Sequence, residues 1–179
     1  EKVRETRISV RQNLGIGDAD IGLLYVSNNW KRKGLQVILK SLAGLGEQGR
    51  RLHLIVVGRG KPSSYLKLAR RLGLSDRVHI VGATTEVQKY YGAGDLMVLP
   101  TMYDPFANVC LEAMASGLPV ITTSENGAAE LINEGRNGYI QKNALDSQEL
   151  ERLLANCLDL ERLQDMGKEA YQTSLPFTR

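Results

Sequence analysis

Short runs of Val, Ile and Leu alternate along this chain with stretches in which apolar residues recur every three or four positions. The short runs, at residues 21–27, 52–58, 78–82, 95–100, 119–123 and 138–140, predict strands. The middle ones are nearly unbroken in branched apolar residues, as expected of strands covered on both faces. The periodic stretches predict helices over 34–45, 63–72, 86–91, 106–116, 128–134, 147–157 and 160–171, with one more over 5–14. Such alternation with short links predicts an α/β fold, a doubly wound parallel sheet of Rossmann-like type. In sheets of this kind the ligand sits beyond the carboxyl ends of the strands, where the strand order reverses. The segments following Ser27, Gly58, Gly82, Pro100 and Thr123 are therefore the expected lining of a site.

Composition narrows the classes. With 179 residues, 42% hydrophobic and 24% charged, the chain is sized for one domain with a substantial core. A net charge of +3 is too small and too dispersed to point to nucleic acid, whereas an anionic small molecule suffices to explain it. Cys110 and Cys157 stand far apart at apolar helical positions and match no metal or redox spacing, so both are expected to be buried, reduced thiols. A cytoplasmic setting follows as the expectation. No apolar run approaches the ~20 residues of a membrane span, and no signal sequence is visible. Because the chain starts at Glu1 and stops at Arg179, it is expected to be a piece of a longer protein.

Several familiar patterns fail on inspection. Gly58-Arg59-Gly60-Lys61-Pro62-Ser63 suggests a phosphate loop, but Ile55 stands where that motif needs its first glycine. A tight strand-to-helix turn is the better reading. Asp18-Ala19-Asp20 has a spacing that can hold a cation, yet it precedes the first strand, on the edge opposite the expected site, and reads as a solvated turn. His53 and His79 fall in strands without partners at ligand spacing and read as packing or edge residues.

Two segments carry chemistry. Asp104 to Glu112 runs from a strand end into a helix, where Phe106, Val109, Cys110, Ala113 and Met114 form a core-facing stripe and Asn108 and Glu112 share another face. The helix start offers unpaired, partially positive N–H groups to phosphate or sugar oxygens. Glu112 lies ~9 Å along the axis from Phe106, so a ligand can reach from Asp104 to Glu112 with a diphosphate between them. The other segment, Ser27-Asn28-Asn29-Trp30-Lys31-Arg32-Lys33-Gly34, places three consecutive cations in the turn after the first strand, suited to neutralising that diphosphate.

An ordered series of motifs then emerges: Lys31-Arg32-Lys33-Gly34, Val56-Val57-Gly58, Val78-His79-Ile80-Val81-Gly82, Gly94-Asp95, and Asp104 to Glu112 followed by Ala113-Met114-Ala115-Ser116-Gly117-Leu118-Pro119-Val120. This series resembles the donor-binding, C-terminal half of family-4 retaining glycosyltransferases of the GT-B fold. The likeness extends to bacterial lipopolysaccharide core glucosyltransferases, notably in the Arg32-Lys33-Gly34 turn and residues 58–74, and covers nearly the whole chain from Val10.

The resemblance implies that residues 1–179 form a nucleotide-sugar-binding domain of a two-domain enzyme. The family's acid pair falls on Asp104 and Glu112, which implies a donor-hexose contact for Asp104 and a ribose contact for Glu112. It further implies that Lys33 meets the diphosphate, that backbone amides of Phe106, Ala107, Asn108 and Val109 meet sugar and phosphate, and that Ala83 and Thr84, with Gly58 and Arg59 nearby, meet the base. Catalysis would rest on Asp104, Lys33 and Arg32. Three departures stand out: Asp104 is one methylene shorter than the usual glutamate, Ala107 replaces a common glycine, and Asn28 stands where many members carry arginine, a charge that Arg32 is placed to supply. The implied reaction is metal-independent transfer of a hexose, UDP-glucose being the expected type of donor, to a glycan or lipid-linked acceptor held by an N-terminal domain. A role in envelope polysaccharide or lipopolysaccharide synthesis, with peripheral association at the inner membrane surface, fits that expectation. The alternatives are another GT-B enzyme, such as a sugar-nucleotide 2-epimerase or a glycogen-synthase-like enzyme, and a noncatalytic nucleotide-binding module.

Overall fold

The computed structural model describes residues 2–177, so Glu1, Thr178 and Arg179 of the expected 1–179 domain lie outside the described residues. Six strands appear where the apolar runs predict them: β1 (Ile21–Val26), β2 (Leu52–Val57), β3 (Val78–Gly82), β4 (Leu96–Leu99), β5 (Val120–Thr123) and β6 (Gly138–Gln141). They form one parallel sheet in the order β3-β2-β1-β4-β5-β6. Every side chain of β2, β4 and β5 is buried, which is why those runs lack polar alternation.

The helices are α1 (Lys2–Leu14), α2 (Leu35–Gly44), α3 (Pro62–Arg71), α4 (Val87–Ala93), α5 (Asn108–Ala115), α6 (Ser147–Ala155) and α7 (Leu160–Ser174). Right-handed crossovers from β1 outward to β3 set α2 and α3 on one face; the chain then returns to β4 and places α4 and α5 on the other. There α1 packs on α4 and α7 on α5, while α6 joins α2 across the sheet. The order therefore reverses between β1 and β4, and the turns leaving these two strands diverge to open a crevice. Asp95 at the start of β4 fixes the opposite edge: it accepts from Arg7 at 2.6 Å, Arg11 at 2.9 Å and the Gly22 amide at 2.8 Å.

Two expectations need correction. Residues 128–134 are not an α-helix but a 3-10 turn, Gly127–Leu131, started by the Asn126 side chain accepting the Ala128 amide. The site helix begins at Asn108, two residues later than periodicity suggests, because Ala107 keeps an extended backbone (φ −78°, ψ 100°). Phe106 consequently leaves the core stripe and is 39% exposed, while Cys110, Ala113 and Met114 are fully buried. Both cysteines are buried and free, and burial pushes their thiols up to about 12. His53 and His79 sit on adjacent strands with their rings stacked and 3.0 Å between ring nitrogens, so one donates to the other.

Candidate functional site

The turn leaving β1 is built by its own polar residues. The Ser27 hydroxyl accepts the Asn29 amide at 2.9 Å, Asn29 Oδ1 accepts the Arg32 amide at 3.1 Å, and the Trp30 indole donates to the Ser27 carbonyl at 2.9 Å. The Trp30 ring lies directly on Gly60, where any Cβ would overlap it. That contact, rather than a phosphate, explains the glycine spacing after β2. Gly34 closes the turn at φ +78° against the Pro100 carbonyl, a position closed to a side chain on both counts.

The loop after β4 meets this turn at several points. The Met102 amide donates to the Arg32 carbonyl at 2.9 Å, the Arg32 guanidinium donates to the Tyr103 carbonyl at 3.3 Å, and Lys33 pairs with Asp104. Side-chain exposures of 11% for Lys33 and 15% for Asp104 make this a largely desolvated ion pair. Burial, and then Arg32 next door, push the Lys33 ammonium below its ordinary value. Asp104 also accepts the Phe106 amide at 3.0 Å, a local turn that carries the chain toward α5.

A residue that sequence reasoning passed over holds the start of α5. Asn126, 1% exposed, accepts the Ala107 and Ala128 amides at 3.1 Å each and donates to Thr122 Oγ1 at 2.8 Å and Cys110 Sγ at 3.5 Å. The amides of Phe106 and Ala107 are thus both hydrogen-bonded within the chain. The amides of Asn108 and Val109 have no acceptor among the described residues and remain available at the helix N-terminus.

These parts enclose a cleft of about 260 Å³ at the switch point, lined by Val26, Ser27, Asn28 and Lys33 on one side and by Asp104 and Phe106 to Val109 on the other. Of the residues singled out in the sequence, Asn28, Lys33, Asp104 and the start of α5 are brought together here. Arg32 is not in the lining; its exposed guanidinium turns toward the Tyr103 carbonyl. Gly58 and Arg59 border the cleft through Asn28, whose Oδ1 accepts the Arg59 amide at 2.7 Å. The Gly58 amide in turn donates to the Gly82 carbonyl at 2.8 Å, joining the Ala83-Thr84 turn to the same edge. Glu112 is not in the lining either; it lies one helical turn past Asn108 and accepts the Tyr91 hydroxyl at 2.7 Å. Asp18 and Asp20 are remote from all of this, before β1, where Asp20 accepts the Gly17 amide at 2.8 Å.

A Rossmann-like domain with a cation and a helix N-terminus facing each other at the switch point has the form of a binding domain for an anionic nucleotide. The chain belongs to the glycosyl transferases group 1 family, whose model matches residues 6–173. It is 32% identical over 159 residues to the lipopolysaccharide glucosyltransferase WaaG of Escherichia coli K12, covering 88% of this chain and 42% of that protein. It is 30% identical to a D-inositol 3-phosphate glycosyltransferase of Catenulispora acidiphila over 182 residues, covering 94% of this chain and 42% of the relative. The crystal structure of WaaG superposes with a TM-score of 0.87 at 30% identity, over 97% of this chain and 47% of that one. Anabaena HepE in complex with UDP-glucose gives 0.85 at 25% identity, over 96% and 48%. The GT-B resemblance read from the motifs therefore holds for the fold and the family. The chain spans less than half the length of these relatives.

Proposed function

We propose that this chain is the donor-binding domain of a retaining hexosyltransferase and that the cleft between β1 and α5 holds a nucleoside diphosphate-sugar. The observation that carries the reading is the meeting of Lys33, the unpaired Asn108 and Val109 amides, and Asp104 in one cleft at the switch point. The diphosphate lies over the start of α5, where two amides and the helix dipole favour negative charge. Lys33 then transfers its contact from Asp104 to a phosphate oxygen. Asp104 keeps the Phe106 amide and gains a free oxygen for a hydroxyl of the donor hexose. Glu112 receives the ribose diol, each charge-assisted hydrogen bond being worth ~1.5–3 kcal/mol, and the turn at Ala83 and Thr84, beside Gly58 and Arg59, borders the base.

In the reaction the bond from the anomeric carbon to the phosphate oxygen breaks and the nucleoside diphosphate leaves with the electron pair, while a hydroxyl oxygen of the acceptor bonds to that carbon and gives up its proton to the departing phosphate. Catalysis is then stabilisation of that departing charge by Lys33 and the two amides, with Arg32 adding field from the rim. The acceptor, a glycan or lipid-linked sugar, approaches from a second domain, and UDP is the favoured nucleotide because HepE was crystallised with UDP-glucose. A part in cell-envelope glycan synthesis is the setting that the likeness to the lipopolysaccharide glucosyltransferase WaaG supports, and a cytoplasmic place at a membrane surface is proposed with it.

Calorimetry with UDP, GDP and ADP, free and as glucose conjugates, tests the binding reading. Saturable binding that Lys33→Ala and Glu112→Ala each weaken is expected. Affinities untouched by both substitutions would place the ligand elsewhere and end the proposal. The isolated chain is expected to bind the nucleotide weakly and to transfer no sugar at a measurable rate.

A further inference from the structure

We infer that Tyr91 is a positioning residue for the nucleotide: its hydroxyl fixes the Glu112 carboxylate so that one oxygen stays directed at the ribose diol. The inference rests on the ribose role proposed above for Glu112. Glu112 is exposed on α5, one turn beyond Asn108, whose residue lines the cleft. An exposed glutamate has several rotamers open to it, and a ligand that selects one must bear the ordering cost.

Here that cost is met in advance. Tyr91 is 3% exposed within α4, and its hydroxyl donates to Glu112 Oε2 at 2.7 Å. Among the described residues no other side chain bonds the Glu112 carboxylate. Burial first, and then the bond to Glu112, push the Tyr91 phenol far above its ordinary value, so it remains a donor. An ionised carboxylate has about four lone-pair sites on two oxygens. Tyr91 occupies one on Oε2 and sets the carboxylate plane, leaving Oε1 free to accept from a sugar hydroxyl. The position of Tyr91 adds a link: α4 begins at Val87, directly after the Ala83-Thr84 turn assigned to the base. Base turn and tyrosine therefore lie on one segment of chain, and the Tyr91 hydrogen bond ties the ribose acid on α5 to it.

A tyrosine that only ties α4 to α5 would leave the same hydrogen bond, so the test must read ribose recognition rather than stability. Affinities of UDP, GDP and ADP, each against its 2′,3′-dideoxy counterpart, are measured by calorimetry, and the pair containing the tightest ligand is followed. The unaltered protein should prefer the ribose form by about tenfold or more, and Glu112→Ala should bring that ratio near one. Tyr91→Phe, which keeps the ring and removes the hydroxyl, should lower the ratio by about fivefold to tenfold. Glu112→Asp keeps a carboxylate but withdraws it from Tyr91 by a methylene, and should lower the ratio similarly whatever becomes of Tyr91→Phe. A lower thermal midpoint with an unchanged ratio in Tyr91→Phe, or an unchanged ratio in Glu112→Asp, overturns the positioning role and leaves the ribose role standing. An unchanged ratio in Glu112→Ala, or no saturable binding of any of the three nucleotides, removes the ribose role and this inference with it.

Discussion

Asn126→Ala is expected to separate the support of the site from its ligand contacts. The side chain is 1% exposed and accepts two amides, those of Ala107 (5% exposed) and Ala128 (1% exposed). Truncation leaves both donors buried without an acceptor, at ~1–3 kcal/mol each, or ~2–6 kcal/mol together. The Thr122 hydroxyl is spared because it still donates to the Leu99 carbonyl at 2.9 Å. The vacated volume is polar enough to admit a water, which recovers part of the loss. The net cost is then about 2–4 kcal/mol, a large fraction of the ~5–15 kcal/mol that holds a domain folded. For a chain of this size that corresponds to a fall in Tm of roughly 5–15 °C. Urea unfolding with linear extrapolation measures the free energy. A loss below ~1 kcal/mol would show that the two amides find other partners, refuting the hydrogen-bond accounting. The same substitution frees the start of α5, so UDP affinity, measured below the new transition, should drop with it. Lost stability with intact affinity would mean that Asn126 supports the core but does not place the helix.

Three further outcomes are expected. Lys33→Ala in the full enzyme should reduce turnover by ~10²–10³, as for loss of one oxyanion donor, and steady-state kinetics showing less than a tenfold change would exclude Lys33 from charge stabilisation. Gly34→Ala should destabilise by more than the ~1 kcal/mol of an ordinary φ-positive glycine, because its Cβ meets the Pro100 carbonyl as well as the backbone strain; a thermal midpoint within a degree of the parent would contradict the packing. His53 and His79 are both held below the ordinary value of 6.5 by burial, with Arg77 and Arg11 adding to this at His53 and His53 itself at His79; Asp20 and Asp76 oppose. Their neutral forms therefore stabilise the fold above that value, and the stability is lost as the pH falls through it toward the lowered folded values. His79→Gln should flatten this acid limb in a series of melts, and an unaltered limb would assign it to other groups.

The order of elements and their approximate limits were legible in the sequence because burial on both faces of a parallel sheet writes itself as unbroken apolar runs. β3 matches its run residue for residue, and the glycines at 34 and 58 mark turns that no other residue could make. The cluster of Lys33, Asp104 and the start of α5 was legible too, since strand ends on one edge of such a sheet must converge at the point of reversal. Periodicity alone misjudged Phe106: three-and-four spacing records which residues could share a face, not where the backbone first turns helical. That limit depends on Asp104 and Asn126 taking up the Phe106 and Ala107 amides, and Asn126 lies 19 residues along the chain from Ala107. The same holds for Arg32, which its neighbours in sequence place among the cations but the Tyr103 carbonyl draws outward, and for Tyr91, an unremarkable apolar position until α4 is laid beside α5. What the amino-acid order decided by itself is the alternation, the family and the edge on which a ligand would rest. Which amides stay unpaired, which cation faces inward and which carboxylate is held in place are properties of hydrogen bonds between distant segments, and those exist only once the sheet has brought the segments together.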